Sequence, residues 1–234
     1  MSGPVTPYEQ LAGEYAAEIE HNAWNALYER PGTVALLPAV AGRRVLDVGC
    51  GSGPLSAELV QRGADVVGFD SSQAMIRLAE TRRLRSASFR VADLSEPLEF
   101  LADKTFDVAV ASLVLHYLRD WVPPLAELRR VLRPRGVLVI STHHPSRDVH
   151  LSKSGNYFAT ELIRDRWTKA GKHFDVEFWR RPLTDMFSAI DRAGFRIDTV
   201  TEPRPLDACR EQFPEAWEML TTQPRFIFFR LLGK

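Results

Sequence analysis

The segment from Arg44 to Gly53 constrains the fold of this chain more than any other. It reads RVLDVGCGSG, an apolar strand with an internal acid that runs into three glycines at alternate positions. Glycines so spaced let a ligand approach the backbone closely, since no Cβ intervenes. Pro54 follows where a helix would begin, because proline suits the first helical turn. Strand, glycine turn and helix together form the opening unit of a nucleotide-type binding fold.

The same strand and helix patterns alternate along the rest of the chain. Apolar runs predict strands at 44–48, 64–70, 88–92, 106–112, 137–141, 195–200 and 225–232, the last near a sheet edge. Helical spacing predicts helices at 8–28, 33–40, 54–62, 72–83, 124–132 and 183–193. Uninterrupted apolar strands between helices indicate an α/β fold, a parallel sheet with helices on both faces.

Two segments stand apart from this alternation within a single predicted domain of residues 1–234. Residues 1–40 are predicted to form an N-terminal helical flank, broken at Pro31-Gly32. Residues 142–182 show no clear sheet period and are rich in His, Trp, Tyr and Arg. Connections in such sheets usually span about 2–6 residues, and longer ones are often functional lids. We therefore expect a lid or substrate insertion at 142–182.

Composition excludes several classes of protein. Lys+Arg and Asp+Glu both number 30, and this balance argues against a nucleic-acid partner, which calls for a basic surface. The two cysteines, Cys50 and Cys209, give neither a disulfide framework nor zinc-ligand spacing, so no metal is expected. No apolar stretch is long enough for a membrane span or a signal peptide. We expect a cytoplasmic protein without membrane contact, either a monomer or a homodimer.

Acidic residues recur where three consecutive predicted strands end. Asp47 lies in the first strand, Asp70 closes the second and Asp93 follows the third. Ligands of open parallel sheets bind beyond these carboxyl ends. Asp70 could accept both hydroxyls of a ribose, and Asp93 could accept from an exocyclic amine such as that of adenine. A lone aspartate is more often a turn residue or helix cap, but three in series favour one shared ligand.

The glycine spacing argues against a dinucleotide. The dinucleotide fingerprint is G-x-G-x-x-G, whereas here the pattern Gly49-x-Gly51-x-Gly53 is one residue tighter. Asp47 also precedes the first glycine by two residues, and a carboxylate there disfavours a pyrophosphate. It could instead hold a cationic or amino-bearing ligand.

Four segments together carry a family resemblance. VLDVGCGSG at 45–53, GFDSS at 68–72, VAD at 91–93 and LRRVLRPRG at 128–136 resemble a class I S-adenosylmethionine-dependent methyltransferase of the type 11 group. The motifs cover about residues 40–142. The resemblance implies a Rossmann-like seven-stranded sheet, mostly parallel, into which the last strand inserts antiparallel. It also implies S-adenosylmethionine as the cofactor.

The resemblance implies roles for individual residues. The glycine turn would lie against the methionyl part and ribose of the cofactor, Asp47 would position its amino group, and the N-terminal segment would cover it. The full cofactor-binding set comprises Asp47, Gly49, Cys50, Gly51, Gly53, Asp70, Ser71, Met75, Asp93, Leu94, Ser112 and Tyr15.

A base for the acceptor is sought beyond the predicted fourth and fifth strands. His143 and His144 directly follow the fifth, and we favour His144, since alternation turns only one of them inward. His116, after the fourth strand, could also face the cofactor or substrate. Histidine suits general base catalysis near neutral pH. A histidine that only hydrogen-bonds its loop remains the alternative.

Aromatic residues and arginine in the insertion suit a planar small molecule. The predicted substrate-binding set comprises Tyr117, Tyr157, Trp167, Trp179 and Arg181. Packing of the lid onto the sheet is the alternative reading of each aromatic. SLVL at 112–115 differs from the Asn/Asp-Pro-Pro-Tyr motif of enzymes that methylate base amines.

The expected function is methyl transfer from S-adenosylmethionine to an O, N or C atom of a small molecule, such as a metabolite of secondary metabolism. One alternative is an RNA or protein methyltransferase, which the neutral charge disfavours. Another is a protein that binds S-adenosylmethionine without transferring the methyl group.

Overall fold

The computed structural model describes residues 8–169 and 171–234, so the first residues of the predicted flank lie outside it. The strands are β1 Arg44–Val48, β2 Asp65–Asp70, β3 Ala87–Val91, β4 Phe106–Ser112, β5 Leu132–His143, β6 Glu161–Lys169, β7 Lys172–Arg180, β8 Phe195–Thr201 and β9 Phe226–Gly233. The α-helices are α1 Tyr8–Ile19, α2 Arg30–Ala35, α3 Pro54–Gln61, α4 Gln73–Thr81, α5 Val122–Val131, α6 Leu183–Arg192, α7 Ala208–Gln212 and α8 Pro214–Thr222. No helix in these ranges is long and apolar enough to cross a membrane.

Seven of the strands form one sheet in the order β3-β2-β1-β4-β5-β9-β8. Strands β1 to β5 pair in parallel, and β9 pairs antiparallel with both β5 and β8. The predicted Rossmann-like sheet is confirmed, together with its antiparallel last strand. That strand lies one position in from the edge, which β8 forms.

Both faces of this sheet are covered. Neighbouring residues of β1 point to opposite sides, so Val45 and Leu46 belong to separate buried clusters. Leu55 and Leu59 of α3 pack on the side of Val45, and α5 packs on the side of Leu46. Each fully buried leucine contributes roughly 1.5–3 kcal/mol, which makes the two-sided core the main source of stability. The core thereby fixes the strand ends on which the site is built.

The N-terminal flank differs from its prediction. Helix α1 ends at Ile19, and a π-helical turn at Asn25–Glu29 runs directly into α2. The predicted break at Pro31-Gly32 is wrong, because both residues lie inside α2. Proline is tolerated there since the first helical turn needs no N–H from it. Gly32 is required by packing, since a Cβ would lie 2.8 Å from Pro203 Cγ.

The segment predicted to lack a sheet period contains a β-hairpin. Strands β6 and β7 pair antiparallel from Glu161↔Arg180 to Lys169↔Lys172. Ile163, Val176 and Phe178 form its buried face. The exposed side carries cross-strand ion pairs, among them Arg166 Nε to Asp175 Oδ1 at 2.7 Å. These charges obscured the strand pattern in the sequence, and helices α7 and α8 were also missed.

Candidate active site

A cavity of about 540 Å³ opens at the carboxyl ends of β1 to β4. Sites for small molecules commonly measure roughly 300–1,000 Å³. We divide its lining residues into two groups, named for the roles that the family resemblance implies: the cofactor end and the acceptor end. The cofactor end is lined by Asn25, Glu29, Arg30, Asp47, Gly49, Cys50, Gly51, Pro54, Leu55, Phe69, Asp70, Ser71, Met75, Ala92, Asp93, Leu94 and Ser95. The acceptor end is lined by Tyr8, Tyr15, Ile19, Ser112, Leu113, Val114, Tyr117, Leu118, Arg119, Leu162, Glu177 and Trp179.

Of the predicted cofactor-binding set, the structure brings all but Gly53 to the cavity lining. Asp47, Gly49, Cys50, Gly51, Asp70, Ser71, Met75, Asp93, Leu94, Ser112 and Tyr15 line it. Gly53 instead caps the N-terminus of α3 with φ +79°. Its glycine is needed for that left-handed conformation and not for contact with the cavity.

The glycine turn is built as the spacing predicts. Gly49 and Gly51 have φ values of +65° and +54°. A Cβ on Gly49 would lie 2.7 Å from Val114 Cγ2, so packing excludes a side chain there. A Cβ on Gly51 would meet no atom within 4 Å and would project into open space. The backbone at Gly51 therefore leaves room for a ligand in direct contact with it.

Asp70 stands at the centre of the cofactor end. Its Oδ2 accepts a hydrogen bond from the backbone N–H of Gly51 at 2.9 Å, and its Oδ1 accepts one from Ser72 N–H at 2.9 Å. Burial raises the pKa of Asp70, against the lowering effect of these two bonds. Both carboxylate oxygens are thus held in fixed positions beside the cavity, which suits a ligand with two adjacent hydroxyls.

Asp47 is the most buried acid of the site, with 1% of its surface exposed. Ser56 Oγ donates to its Oδ2 at 2.6 Å. Burial raises the pKa of Asp47 to about 7, and the charges of Asp70 and Glu29 add to the effect. A cationic group bound nearby would relieve this unfavourable environment.

Sequence reasoning missed Glu29, although it lines the cavity and is buried. Its Oε1 accepts hydrogen bonds from Thr33 Oγ1 at 2.7 Å, Ser112 Oγ at 2.8 Å and Ser141 Oγ at 2.5 Å. These bonds fasten the π-helical turn to the ends of β4 and β5. An acid within the apolar run NALYE was the available signal, but a π-helical turn has no recognisable sequence period.

Three tyrosines close the acceptor end. Tyr8 Oη and Tyr117 Oη lie 2.7 Å apart, and the ring centroids of Tyr8 and Tyr15 are 5.0 Å apart. Burial raises the pKa of all three phenols. The hydroxyl contact joins α1 to the loop after β4, so the N-terminal helix forms a wall of the cavity.

The hairpin also lines the cavity, but fewer of the predicted substrate residues do so than expected. Tyr117 and Trp179 do so, whereas Tyr157, Trp167 and Arg181 do not. Trp167 packs on the buried face of the hairpin. The Tyr157 carbonyl accepts from Arg180 Nη1 at 2.8 Å.

Arg181 is buried and binds backbone carbonyl groups instead of lining the cavity. Its guanidinium donates to the carbonyls of Leu118 and Arg119 and lies 4.7 Å from the ring centroid of Trp121. Burial lowers its pKa to about 10. The side chain that lines the cavity at this loop is Arg119, which sequence reasoning did not select.

The three candidate histidines lie outside the cavity lining. His143 donates from Nδ1 to Asp148 Oδ2 at 3.1 Å, and its ring stacks on His116 at 4.1 Å. His144 does not turn inward as expected. Its Nε2 lies 2.8 Å from Glu202 Oε1 and its Nδ1 2.6 Å from Ser146 Oγ. The imidazole rings of His143 and His144 thus have hydrogen-bond partners outside the cavity. Strand β9 pairs along β5 as far as His143 and covers the strand end.

Comparison with known proteins agrees with this geometry. A family model described as "Methyltransferase domain" matches residues 46–140. The chain is 27% identical over 229 residues to an uncharacterized protein of Haemophilus influenzae, covering 88% of this chain and 87% of that one. It is 35% identical over 133 residues to trans-aconitate 2-methyltransferase of Deinococcus radiodurans, covering 55% and 50%.

Further similarities extend to other named enzymes and to solved structures. Ubiquinone biosynthesis O-methyltransferase of Hahella chejuensis is 33% identical over 150 residues, with 61% of this chain and 63% of that one covered. The chain thus spans about half to just under two thirds of these two named relatives. The structure of an S-adenosylmethionine-dependent methyltransferase from Mesorhizobium loti matches with a TM-score of 0.72 at 27% identity, covering 92% of this chain and 99% of that one. The chain belongs to the class I S-adenosylmethionine-dependent methyltransferases.

Proposed function

We propose that this enzyme transfers the methyl group of S-adenosylmethionine to an O, N or C atom of a small molecule bound at the acceptor end. The observation that carries the proposal is that one cavity is lined by two unlike groups of residues. One group includes the acids that lie at or near the ends of the first three strands, and the other includes the aromatic residues of α1, the loop after β4 and the hairpin. A cavity enclosed in this way suits a small acceptor better than a folded polymer.

The residues of the cofactor end fit S-adenosylmethionine. Bound there, the cofactor supplies a methyl group already activated on a sulfonium. Asp70 would accept the ribose hydroxyls, and Asp93 and Leu94 would contact the adenine. The open space beside Gly51 would admit the part of the cofactor that follows the ribose. A dinucleotide would place a pyrophosphate near Asp47 and Asp70, and these two acids would repel it.

The amino-acid part of the cofactor carries one ammonium and one carboxylate, and the lining provides charges of both signs. The charge of Glu29 contributes to the raised pKa of Asp47, and Arg30 follows Glu29 directly in the chain. We assign the ammonium to the two acids and the carboxylate to Arg30. An ammonium bound beside Asp47 would offset the cost of burying its carboxylate near other acids, and this supports the assignment.

The acceptor end orients the acceptor and excludes water. Methyl transfer needs the nucleophile, the methyl carbon and the sulfur in line, and most of the catalytic benefit comes from this positioning. Tyr8, Tyr117 and Trp179 would contact the acceptor. No histidine occurs among the described residues of the lining, so the predicted roles of His116, His143 and His144 as bases receive no support from this geometry.

Transfer from methyl-labelled S-adenosylmethionine into a cell extract tests the proposal. The extract would be separated after the reaction into small molecules, RNA and protein, with heat-inactivated enzyme as the control. We expect label in the small-molecule fraction. Label confined to RNA or protein would favour a macromolecular methyltransferase. Binding of S-adenosylhomocysteine without any transfer would favour a protein that only binds the cofactor.

A further inference from the structure

The acceptor end holds one cation that the fold has not neutralised. Arg119 lines the cavity, and none of the ion pairs described over residues 8–169 and 171–234 includes it. The only acid of the acceptor end, among the described lining residues, is Glu177, and its Oε1 already lies 2.7 Å from Arg164 Nε. The other acids of the lining belong to the cofactor end. The acceptor therefore meets a positive charge.

Arg119 is an exposed residue with one backbone contact and one side-chain contact that orient it. Its carbonyl accepts a hydrogen bond from Arg181 Nη1 at 3.2 Å, and the buried Arg181 is itself held against Trp121. Its own guanidinium lies 5.3 Å from the ring centroid of Trp179. A guanidinium that rests one face on an indole keeps its N–H groups at the edge available for a planar anion.

The tyrosines add a hydrogen-bond donor. The hydroxyl of Tyr8 contacts that of Tyr117 at 2.7 Å and also bonds with that of Tyr15. Three hydroxyl hydrogens serve these two contacts, so the three tyrosines retain one as a donor. Burial raises the pKa of both phenols, which keeps them protonated at neutral pH. The acceptor end thus offers a hydroxyl donor as well as the guanidinium of Arg119, and both match an acceptor rich in oxygen lone pairs.

An acceptor that must lose a proton would need a base within reach. The described lining contains neither histidine nor lysine. Glu29 does reach Ser112 at the acceptor end, but its Oε1 already accepts hydrogen bonds from three hydroxyl groups. A carboxylate needs no such base. One of its oxygens forms the new bond to the methyl carbon as the carbon–sulfur bond breaks, and the electron pair of that bond returns to sulfur. The products are a methyl ester and a neutral thioether, and no proton moves.

We propose that the acceptor is a carboxylate oriented by Arg119 and that the product is its methyl ester. This inference rests on the proposed function, since it names the acceptor class of the same cavity. Arg119 is then the residue that selects a carboxylate over a neutral or cationic acceptor. Arg181 is a positioning residue, because it acts on the acceptor only through the backbone of Arg119.

The chemistry of the labelled product tests the inference without knowledge of the substrate. Methyl esters release volatile labelled methanol in alkali, whereas ethers, N-methyl and C-methyl products do not. We expect most label in the small-molecule fraction to be volatile after alkali. Label that stays non-volatile overturns the carboxylate inference alone. No label in that fraction overturns the proposed function and this inference with it.

Substitution of the arginine tests its role. Arg119→Gln should lower the alkali-volatile label about tenfold or more, because a charge-assisted bond is lost. Arg119→Lys keeps the charge but not the flat stacking surface. Its yield of alkali-volatile label should lie between that of the wild type and that of Arg119→Gln. Arg166→Gln is the matched control, since this exposed hairpin arginine lies outside the lining and should leave the label unchanged. The affinity of all three variants for S-adenosylhomocysteine should stay within about twofold of the wild-type value. Full ester formation by Arg119→Gln would overturn the assignment of Arg119 to the carboxylate.

Discussion

The two ends of the cavity are built in different ways. The cofactor end takes most of its residues from positions 47–95, where strands β1 to β3 end side by side in one parallel sheet. The acceptor end joins α1, the loop after β4 and the hairpin, so Tyr8, Tyr117 and Trp179 meet only through tertiary packing. The first end is determined by strand order, which the type of fold dictates. The second depends on contacts that can change while the sheet stays the same, and this supports our proposal that it sets the acceptor.

Removal of Asp70 should have the largest effect on the cofactor end. Asp70→Ala removes two oxygens placed for the ribose hydroxyls, and each bond to a charged group contributes about 1.5–3 kcal/mol. We expect S-adenosylhomocysteine affinity to fall at least about 100-fold, measured by titration calorimetry.

Asp65→Ala is the matched control for this substitution. Asp65 begins the same strand at the opposite end of the sheet, where its side chain is 59% exposed beside Arg44. Its affinity for S-adenosylhomocysteine should equal that of the wild type. Equal affinity in both variants would show that the ribose does not lie at Asp70, and the comparison between the two ends would lose its basis.

The pKa of Asp47 gives a second prediction, on the stability of the free protein. In the folded chain its pKa is about 7, against 3.8 for an ordinary aspartate. Between these values the folded protein binds a proton that the unfolded chain has released, so the free energy of unfolding falls as pH rises through this window. The slope is about 1.4 kcal/mol per pH unit, or roughly 2 kcal/mol from pH 5.5 to 7.

Asp47→Asn cannot ionise, and the comparison with wild type isolates this effect from that of Asp70. Urea denaturation at pH 5.5 and 7.5 should show the variant gaining about 2 kcal/mol on the wild type over that interval. If the difference in the free energy of unfolding between the two proteins is the same at both pH values, Asp47 is already ionised at pH 5.5.

The smallest expected effect concerns the wall of the acceptor end. Tyr8→Phe removes the hydroxyl contact to Tyr117 but keeps the ring, at a cost of about 1 kcal/mol. We expect the melting temperature to drop by about 2–4 °C. S-adenosylhomocysteine affinity should change little, because the lost bond lies at the other end. A loss of affinity comparable with that of Asp70→Ala would show that the two ends are not separate.

The sequence predicted the sheet and the cofactor end well for a physical reason. Apolar runs and glycine turns are local signals, and the carboxyl ends of parallel strands meet wherever the strands pair in order. Asp70 and Gly51 could therefore be placed in one site from spacing alone, and the structure bonds them at 2.9 Å. Gly53 was misplaced because a helix cap and a ligand contact both call for glycine.

The acceptor end could not be predicted in the same way. The hairpin hides its period behind cross-strand ion pairs such as Arg166 with Asp175. Glu29 reaches the site through a π-helical turn, and Arg119 reaches it because Arg181 anchors its carbonyl. Histidine at a strand end suggested a base, but antiparallel pairing of β9 covers the position of His144. Each of these outcomes depends on a partner distant in the sequence.

A crystal structure of the enzyme with S-adenosylhomocysteine tests the division of the cavity most directly. We predict the ribose hydroxyls within hydrogen-bonding distance of the Asp70 carboxylate and the sulfur directed toward Tyr117 and Trp179. The space between the sulfur and Arg119 would then be free for the acceptor. A ligand whose sulfur points toward Arg30 and Pro54, away from the tyrosines, would contradict the assignment of both ends.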